Sequence, residues 1–154
     1  MKVVINKCFG GFGLSPLAIK RLAELKGKPC YFFNRVLGLE IDSAPVEIQE
    51  VKGLLWSAYT VPNPESVAGS QKDFHSMTLE QRKESNDKWV SISLGDISDD
   101  RSDPDLVKVV EELGVKANGQ CAELKVVEIP DGIEWEVEEY DGMERIAQKH
   151  ETWG

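Results

Sequence analysis

The first 27 residues join a strand, a glycine-rich turn and a capped helix, and this order constrains the fold more than any other feature. Residues 3–5 are an apolar β-branched run, which is typical of a strand covered on both faces. Ser15 and Pro16 form an N-cap followed by proline at the first helical position, and Gly27 ends the helix. A helix that starts directly after a strand directs backbone N–H groups towards the strand end, where an anion can bind.

The glycine-rich turn between the strand and the helix is the predicted ligand-binding site. Glycines allow a ligand to approach the backbone closely, and the helix N-terminus adds a partial positive charge. Phe9 and Phe12 can stack on a planar group such as a base, or they can anchor the turn in the core. The spacing G-G-x-G matches neither the dinucleotide-binding fingerprint nor a P-loop, so a purely structural turn is the alternative interpretation. The predicted ligand-binding residues are Asn6, Lys7, Cys8, Phe9, Gly10, Gly11, Phe12, Gly13 and Ser15.

The middle of the chain offers fewer signals. Residues 62–77 are rich in proline, serine and glycine, and they are predicted to form a surface loop. Thr78 and Gln81 form a capping box that opens a polar helix, and residues 89–94 alternate as a strand does. A chain of 154 residues can bury one core, so residues 1–154 are predicted to be a single domain.

The last third predicts a further helix and a hairpin. Asp103 and Pro104 repeat the cap-and-proline signal of a helix start. Residues 124–129 and the alternating residues 133–137 flank a Pro-Asp-Gly turn and are predicted to pair with each other. Residues 143–147 have apolar positions at helical spacing. The sequence therefore predicts an α+β fold in which three to four helices pack on a mixed sheet, with a C-terminal β-hairpin followed by a short helix.

The chain is acidic, and the negative charge lies mainly in its C-terminal part. Residues 95–154 hold 6 Lys or Arg against 17 Asp or Glu, whereas residues 1–94 hold 12 against 10. This balance disfavours nucleic-acid binding and suits either a solvated surface or a basic protein partner. No apolar run reaches the roughly 20 residues of a membrane span or suits a signal peptide. We therefore expect a cytoplasmic protein without a membrane partner.

Three widely spaced cysteines, Cys8, Cys30 and Cys121, are typical of reduced thiols and not of a disulfide framework or a zinc site. Cys8 precedes a helix N-terminus, which lowers a thiol pKa. With His75 or His150 as its base, Cys8 is a candidate nucleophile. A buried, inert cysteine is the alternative.

Four aspartates, Asp99, Asp100, Asp103 and Asp105, surround Arg101. The segment lacks the central glycine and the terminal glutamate of a calcium-binding EF-hand loop. Asp103 is predicted to cap the helix and Arg101 to pair locally with these carboxylates. The sequence therefore predicts neither a metal site nor a cofactor.

Residues 1–25 and 100–153 resemble a family of small proteins carried by tailed bacteriophages and prophages. The resemblance rests on three segments, MKVVINKCFGGFGLS, DPDLVKVVEELG and AELKVVEIPDGIEWEVEEYDGMERIAQKHETW. It does not extend over the middle of the chain. It implies an accessory role of a phage protein inside a bacterial host, and it assigns no catalytic residues.

These observations predict a phage-encoded accessory binding protein in the host cytoplasm. The most specific hypothesis is that the glycine-rich turn sequesters a small anionic, nucleotide-like ligand, such as a host-defence signal. One alternative is an acidic inhibitor that docks on a host protein. Another is a small enzyme with Cys8 as its nucleophile. The sequence leaves self-association open.

Overall fold

The computed structural model describes residues 1–35, 44–51, 53, 56–60, 62, 78, 80 and 100–149. The chain divides into two compact units, Met1–Leu22 with Leu94–Gly154, and Ala23–Ser93. The predicted surface loop over residues 62–77, apart from Pro62, lies outside the described residues. So do the predicted strand over residues 89–94 and most of the helix that Thr78 was expected to open. The single-domain assignment stays a prediction.

The described elements are short. The α-helices are α1 (Pro16–Leu25) and α2 (Pro104–Leu113). The strands are β1 (Lys2–Asn6), β2 (Tyr31–Asn34), β3 (Trp56–Tyr59), β4 (Leu124–Glu128), β5 (Trp135–Tyr140) and β6 (Met143–Gln148). Single 3₁₀ turns cover Ile48–Glu50 and Gly114–Ala117. Among these elements, neither helix has the length and apolar character that crossing a bilayer requires.

The predicted α+β architecture is wrong for the residues that the structure describes. They form two α-helices instead of three to four, and their strands form three two-stranded antiparallel sheets instead of one mixed sheet. The sheets are β1–β4, β2–β3 and β5–β6. The described part of the chain is therefore mostly β, with few helices.

The predicted hairpin between residues 124–129 and 133–137 is also wrong. Strand β4 pairs with β1, with Val4 opposite Val126, and β5 pairs with β6. A local sequence pattern indicates a strand but not its partner. When two strands are far apart in the sequence, their pairing is decided by which apolar faces pack together. Strand β1, which is buried except for Lys2, pairs with β4, and β5 pairs with the segment that follows it.

The predicted last helix is a strand, β6. Asp141 and Gly142 connect β5 to β6 with φ angles of 51° and 87°, the two positive values of a type I′ hairpin, which Asp-Gly favours. Glu144 is buried and Ile146 packs on the core cluster, so alternate residues of β6 face inwards. This period of two is that of a strand. The apolar residues of this segment fit a helical spacing only by coincidence.

Strand β1 lies at the centre of the first unit. Val3 and Ile5 are buried and pack with Ile129 against apolar side chains of the β5–β6 hairpin. On the opposite face of β1, Val4 is fully buried, and the Lys2 Nζ lies 2.6 Å from Glu111 Oε1 of α2. Coverage on both faces, expected from the apolar run, is confirmed.

Both predicted helix starts are confirmed. The Ser15 Oγ accepts a hydrogen bond from the Ala18 N–H at 3.1 Å. The Asp103 carboxylate accepts one from the Asp105 N–H at 2.8 Å, and Pro104 is the first residue of α2. Caps of this kind each contribute about 1 kcal/mol. The Ser15 cap fixes where the glycine-rich turn ends.

The second unit contains the β2–β3 pair. Phe32 and Phe33 are buried, and their rings make edge-to-face contacts with Trp56 and Tyr59 at centroid distances of 5.8 Å and 5.6 Å. The Val46 N–H donates to the Phe32 carbonyl oxygen at 2.8 Å. Aromatic cross-strand packing therefore stabilises this sheet.

Candidate functional site

The glycine turn, residues 7–15, starts from the buried side chain of Asn6. The Asn6 Nδ2 donates to the carbonyl oxygens of Cys8 and Gly142, at 2.7 Å and 2.6 Å. Its Oδ1 accepts from the Glu123 N–H at 2.8 Å. One amide therefore joins three segments: the start of the glycine turn, the approach to β4 and the β5–β6 hairpin turn. Asn6 supports the site and has no polar side-chain atom left for a ligand.

A buried ion pair between Arg101 and Glu144 adjoins Asn6. The Arg101 Nη2 lies 2.8 Å from Glu144 Oε1 and its Nη1 lies 3.3 Å from Oε2. The Asn6 backbone N–H donates to the same Oε2 at 2.8 Å. Only 8% of Arg101 and 5% of Glu144 is exposed. Burial lowers the pKa of Arg101, and the neighbouring carboxylate opposes this shift. Arginine side chains stay protonated in proteins, so the pair is ionic.

Phe12 of the glycine turn covers this ion pair. The Arg101 Cζ lies 3.4 Å from the centroid of the Phe12 ring, a cation–π contact. The turn is thus anchored on a charged pair that is itself held by β1 and β6. The ion pair that Arg101 forms with Glu144 spans 43 positions of the chain, and the local pattern of aspartates does not predict this partner.

Two glycines allow backbone segments to touch at the turn. A Cβ atom on Gly10 would overlap the Cys121 carbonyl oxygen. A Cβ atom on Gly142 would lie 2.5 Å from the Gly11 nitrogen and 2.6 Å from the Phe9 carbonyl oxygen. Real Cβ atoms do not approach backbone so closely, so any side chain at either position would displace the turn. The glycine turn is therefore held between the Cys121 segment and the hairpin turn.

The backbone N–H groups in the middle of the glycine turn, residues 9–13, make no hydrogen bond to any other described residue. On either side of them the N–H groups are used, since Lys7 donates to the Glu123 carbonyl oxygen at 2.8 Å and Ser15 to that of Ala117 at 2.9 Å. Phe9 is 62% exposed, so a ligand can reach its ring.

The thiol of Cys8 and the hydroxyl of Ser15 both donate hydrogen bonds to backbone carbonyl oxygens. The Ser15 Oγ donates to the Lys116 carbonyl oxygen at 2.6 Å. The Cys8 Sγ donates to the Cys121 carbonyl oxygen at 2.9 Å. The groups of the predicted site residues thus divide into two sets. The side chains of Asn6, Cys8, Phe12 and Ser15 contact protein atoms, whereas the side chains of Lys7 and Phe9 and the backbone N–H groups of residues 9–13 are left for a ligand.

The remaining chemical candidates receive no further support from the described residues. His75 and His150 lie outside them, so a Cys8–His arrangement stays a prediction. Within the described ranges, no group of three or more His, Cys, Asp or Glu is placed to hold a metal ion. Asp103 caps α2 and Asp100 accepts from the Ser102 N–H and hydroxyl, at 3.1 Å and 2.7 Å.

The sequence displays the turn but not the distant residues that fix it. The apolar spacing of residues 143–147 predicts a helix that includes Glu144, although the Asp141-Gly142 pair before it favours a β-hairpin. Comparisons with family models, with curated proteins and with solved structures found no match for this chain. Function is therefore inferred from the geometry of the turn and its support.

Proposed function

We propose that the protein binds a small anionic, nucleotide-like ligand on its glycine turn. The observation that carries the proposal is the run of five backbone N–H groups, residues 9–13, that donate to no other described residue. Backbone N–H groups in turns bind phosphate oxygens without any charged side chain. Because buried contacts already fix this turn, a ligand would lose little binding free energy in ordering it.

The chemistry around the turn favours a ligand with a planar group as well as a phosphate. The net charge of −9 opposes the approach of a bare anion. Lys7 is exposed and supplies one ammonium group beside the turn, whereas the charge of Arg101 is neutralised by Glu144. The exposed Phe9 ring can stack on a base, which contributes about 1–3 kcal/mol for each stacked base.

We place this binding in the cytoplasm of a bacterial host, where a phage accessory protein would sequester a nucleotide-like host-defence signal. The resemblance of both ends of the chain to small phage proteins supports this setting. The turn offers N–H groups and an aromatic ring, and the thiol and hydroxyl groups nearest to it are hydrogen-bonded to protein atoms. Holding a ligand therefore fits the site better than transforming one.

The test is a thermal-shift screen of the full chain with mononucleotides, cyclic nucleotides, nucleosides and inorganic phosphate. At about 100 times its dissociation constant, a ligand stabilises the fold by about 2.7 kcal/mol, which raises Tm by roughly 5–10 °C. F9A should reduce the shift. V115A is the matched control, because Val115 is an exposed apolar residue outside the turn. No shift with any phosphate-bearing compound at millimolar concentration would contradict the proposal.

A second candidate function is docking on a basic host protein. The β5–β6 register places Glu136, Glu138 and Tyr140 on one face of the hairpin, and Tyr140 is 80% exposed. Tyrosine is enriched at protein interfaces, and the neighbouring carboxylates give this face the negative charge that a basic partner would complement. A partner captured through this face should be released by salt, because screening weakens charge-driven docking. Y140A should weaken capture, and a salt-insensitive partner would contradict this candidate.

A further inference from the structure

The fold brings together two cysteines that lie 113 positions apart in the chain. The Cys8 Sγ donates to the Cys121 carbonyl oxygen at 2.9 Å. Cys121 is exposed and Cys8 is half-buried, so a solvent-borne reagent can reach the pair. The sequence alone gave no reason to connect these two cysteines, since their proximity depends on the pairing of β1 with β4.

Backbone pairing fixes the two cysteine segments against each other. The β1–β4 register ends with Asn6 opposite Leu124 and is extended by the Lys7 N–H, which donates to the Glu123 carbonyl oxygen. The Asn6 Oδ1 then accepts from the N–H groups of both Cys8 and Glu123, at 3.5 Å and 2.8 Å. Neither segment can move away without breaking a hydrogen bond to the buried Asn6 amide.

The distances permit a bond between the two sulfur atoms. The carbonyl oxygen and the Cβ of one residue lie about 3 Å apart, which places the Cys8 Sγ within about 6 Å of the Cys121 Cβ. Gly10 lies so close to Cys121 that a Cβ built on it would be 2.5 Å from the Cys121 Cβ. Rotation of the exposed Cys121 side chain, with a small backbone adjustment, can therefore reach disulfide geometry.

We propose that Cys8 and Cys121 form a reversible disulfide, which makes the base of the glycine turn a redox modification site. The oxidant is a low-molecular-weight disulfide such as oxidised glutathione. The exposed Cys121 thiolate attacks it, which breaks the reagent's S–S bond, forms a mixed disulfide and releases one thiol. The Cys8 thiolate then attacks the Cys121 sulfur and releases the second thiol. Two protein S–H bonds are lost, two reagent S–H bonds form, and one protein S–S bond replaces the reagent's.

The disulfide would tie the glycine turn covalently to the segment before β4. It would replace the Cys8 thiol hydrogen bond to the Cys121 carbonyl oxygen with a direct link between side chains. Because it closes a long loop of the unfolded chain, it would raise Tm by roughly 5–15 °C. The inference does not depend on what the turn binds.

The test treats the full chain with oxidised glutathione and measures its intact mass and tryptic peptides. The expected product is monomeric, is lighter than the reduced chain by two hydrogen atoms, and links the peptides of residues 8–20 and 117–125. C30S is the matched control, because Cys30 belongs to the other compact unit and its loss should leave the product unchanged. Dithiothreitol should return both the mass and Tm to their starting values.

Cys121 provides the decisive variant, since it is exposed and C121S should fold as the unaltered chain does. C121S should give no intramolecular disulfide and no rise in Tm on oxidation. Glutathione adducts on separate cysteines without a cross-link, a bond to Cys30, or only disulfide-linked dimers would each overturn the proposal.

Discussion

Replacing Glu144 by alanine removes the carboxylate on which the buried polar cluster depends. Its Oε2 accepts from the Asn6 N–H and from Arg101, and its Oε1 accepts a second guanidinium bond. E144A removes the carboxylate that pairs with the buried guanidinium and the acceptor of a buried backbone N–H. Removing one partner of a buried ion pair costs about 3–5 kcal/mol. That loss is a large part of the roughly 5–15 kcal/mol by which domains are stable.

Urea unfolding at neutral pH measures this loss directly. In a separate calorimetric measurement, Tm should fall by roughly 6–20 °C, because each kcal/mol lowers Tm by about 2–4 °C in a chain of this length. E138A is the matched control, since Glu138 pairs with Arg145 on the same hairpin but the two side chains are 42% and 77% exposed. Exposed pairs contribute about 0–1 kcal/mol.

A double variant separates the buried charge from the loss of packing. Arg101→Met combined with Glu144→Met removes both charges and fills similar volume, so it should be clearly more stable than E144A. The two substitutions should show a coupling of about 2 kcal/mol or more, because the residues share one hydrogen-bonded cluster. If E144A cost no more than E138A, the buried pair would not hold the glycine turn as described.

Three further predictions follow from single contacts. G142A should destabilise the protein by about 2 kcal/mol or more in urea unfolding, because its side chain would overlap the glycine turn. G132A, also at positive φ but in open space, should cost about 1 kcal/mol. Equal losses in the two variants would contradict the contact between Gly142 and the turn. The hydrogen bond and charge of the N-terminal amino group lower the pKa of Asp131. The stability that this pair contributes is therefore present above the ordinary pKa of the carboxyl group and is lost as pH falls through the lowered value. D131N should reduce the fall in Tm between neutral and acidic pH, and an unchanged fall in Tm would contradict the prediction. F9A should change the free energy of unfolding by less than about 0.5 kcal/mol, because Phe9 is mostly exposed, and a larger loss in the same assay would show that the ring belongs to the core.

Local signals in the sequence were sufficient for the starts of the two described helices and for the central strand. Ser15 with Pro16, and Asp103 with Pro104, fixed both helix starts because capping depends only on the next two or three residues. The apolar run of β1 was found for the same reason. Strand partners could not be found in this way, since β4 lies more than a hundred residues from β1 and nothing local distinguishes it from a hairpin arm.

The candidate site was found only in outline. Its glycines and aromatic residues are contiguous, so the sequence displays them together, and the proline and serine mark where the turn ends. The polar support comes from three distant segments that contribute Asn6, Arg101 and Glu144. Their association depends on the register of β1, on the loop before α2 and on the Asp-Gly hairpin, and no local pattern combines these three.

The proposed function depends on whether the backbone N–H groups of residues 9–13 donate hydrogen bonds to a phosphate. The most direct measurement is the amide chemical shifts of ¹⁵N-labelled protein titrated with a nucleotide and, in parallel, with the nucleoside that lacks its phosphate. The amide resonances of residues 9–13 should move in a saturable way with the nucleotide and much less with the nucleoside, while those of α2 stay in place. Unmoved resonances over residues 9–13, or larger shifts elsewhere, would contradict the proposal that this turn holds the ligand.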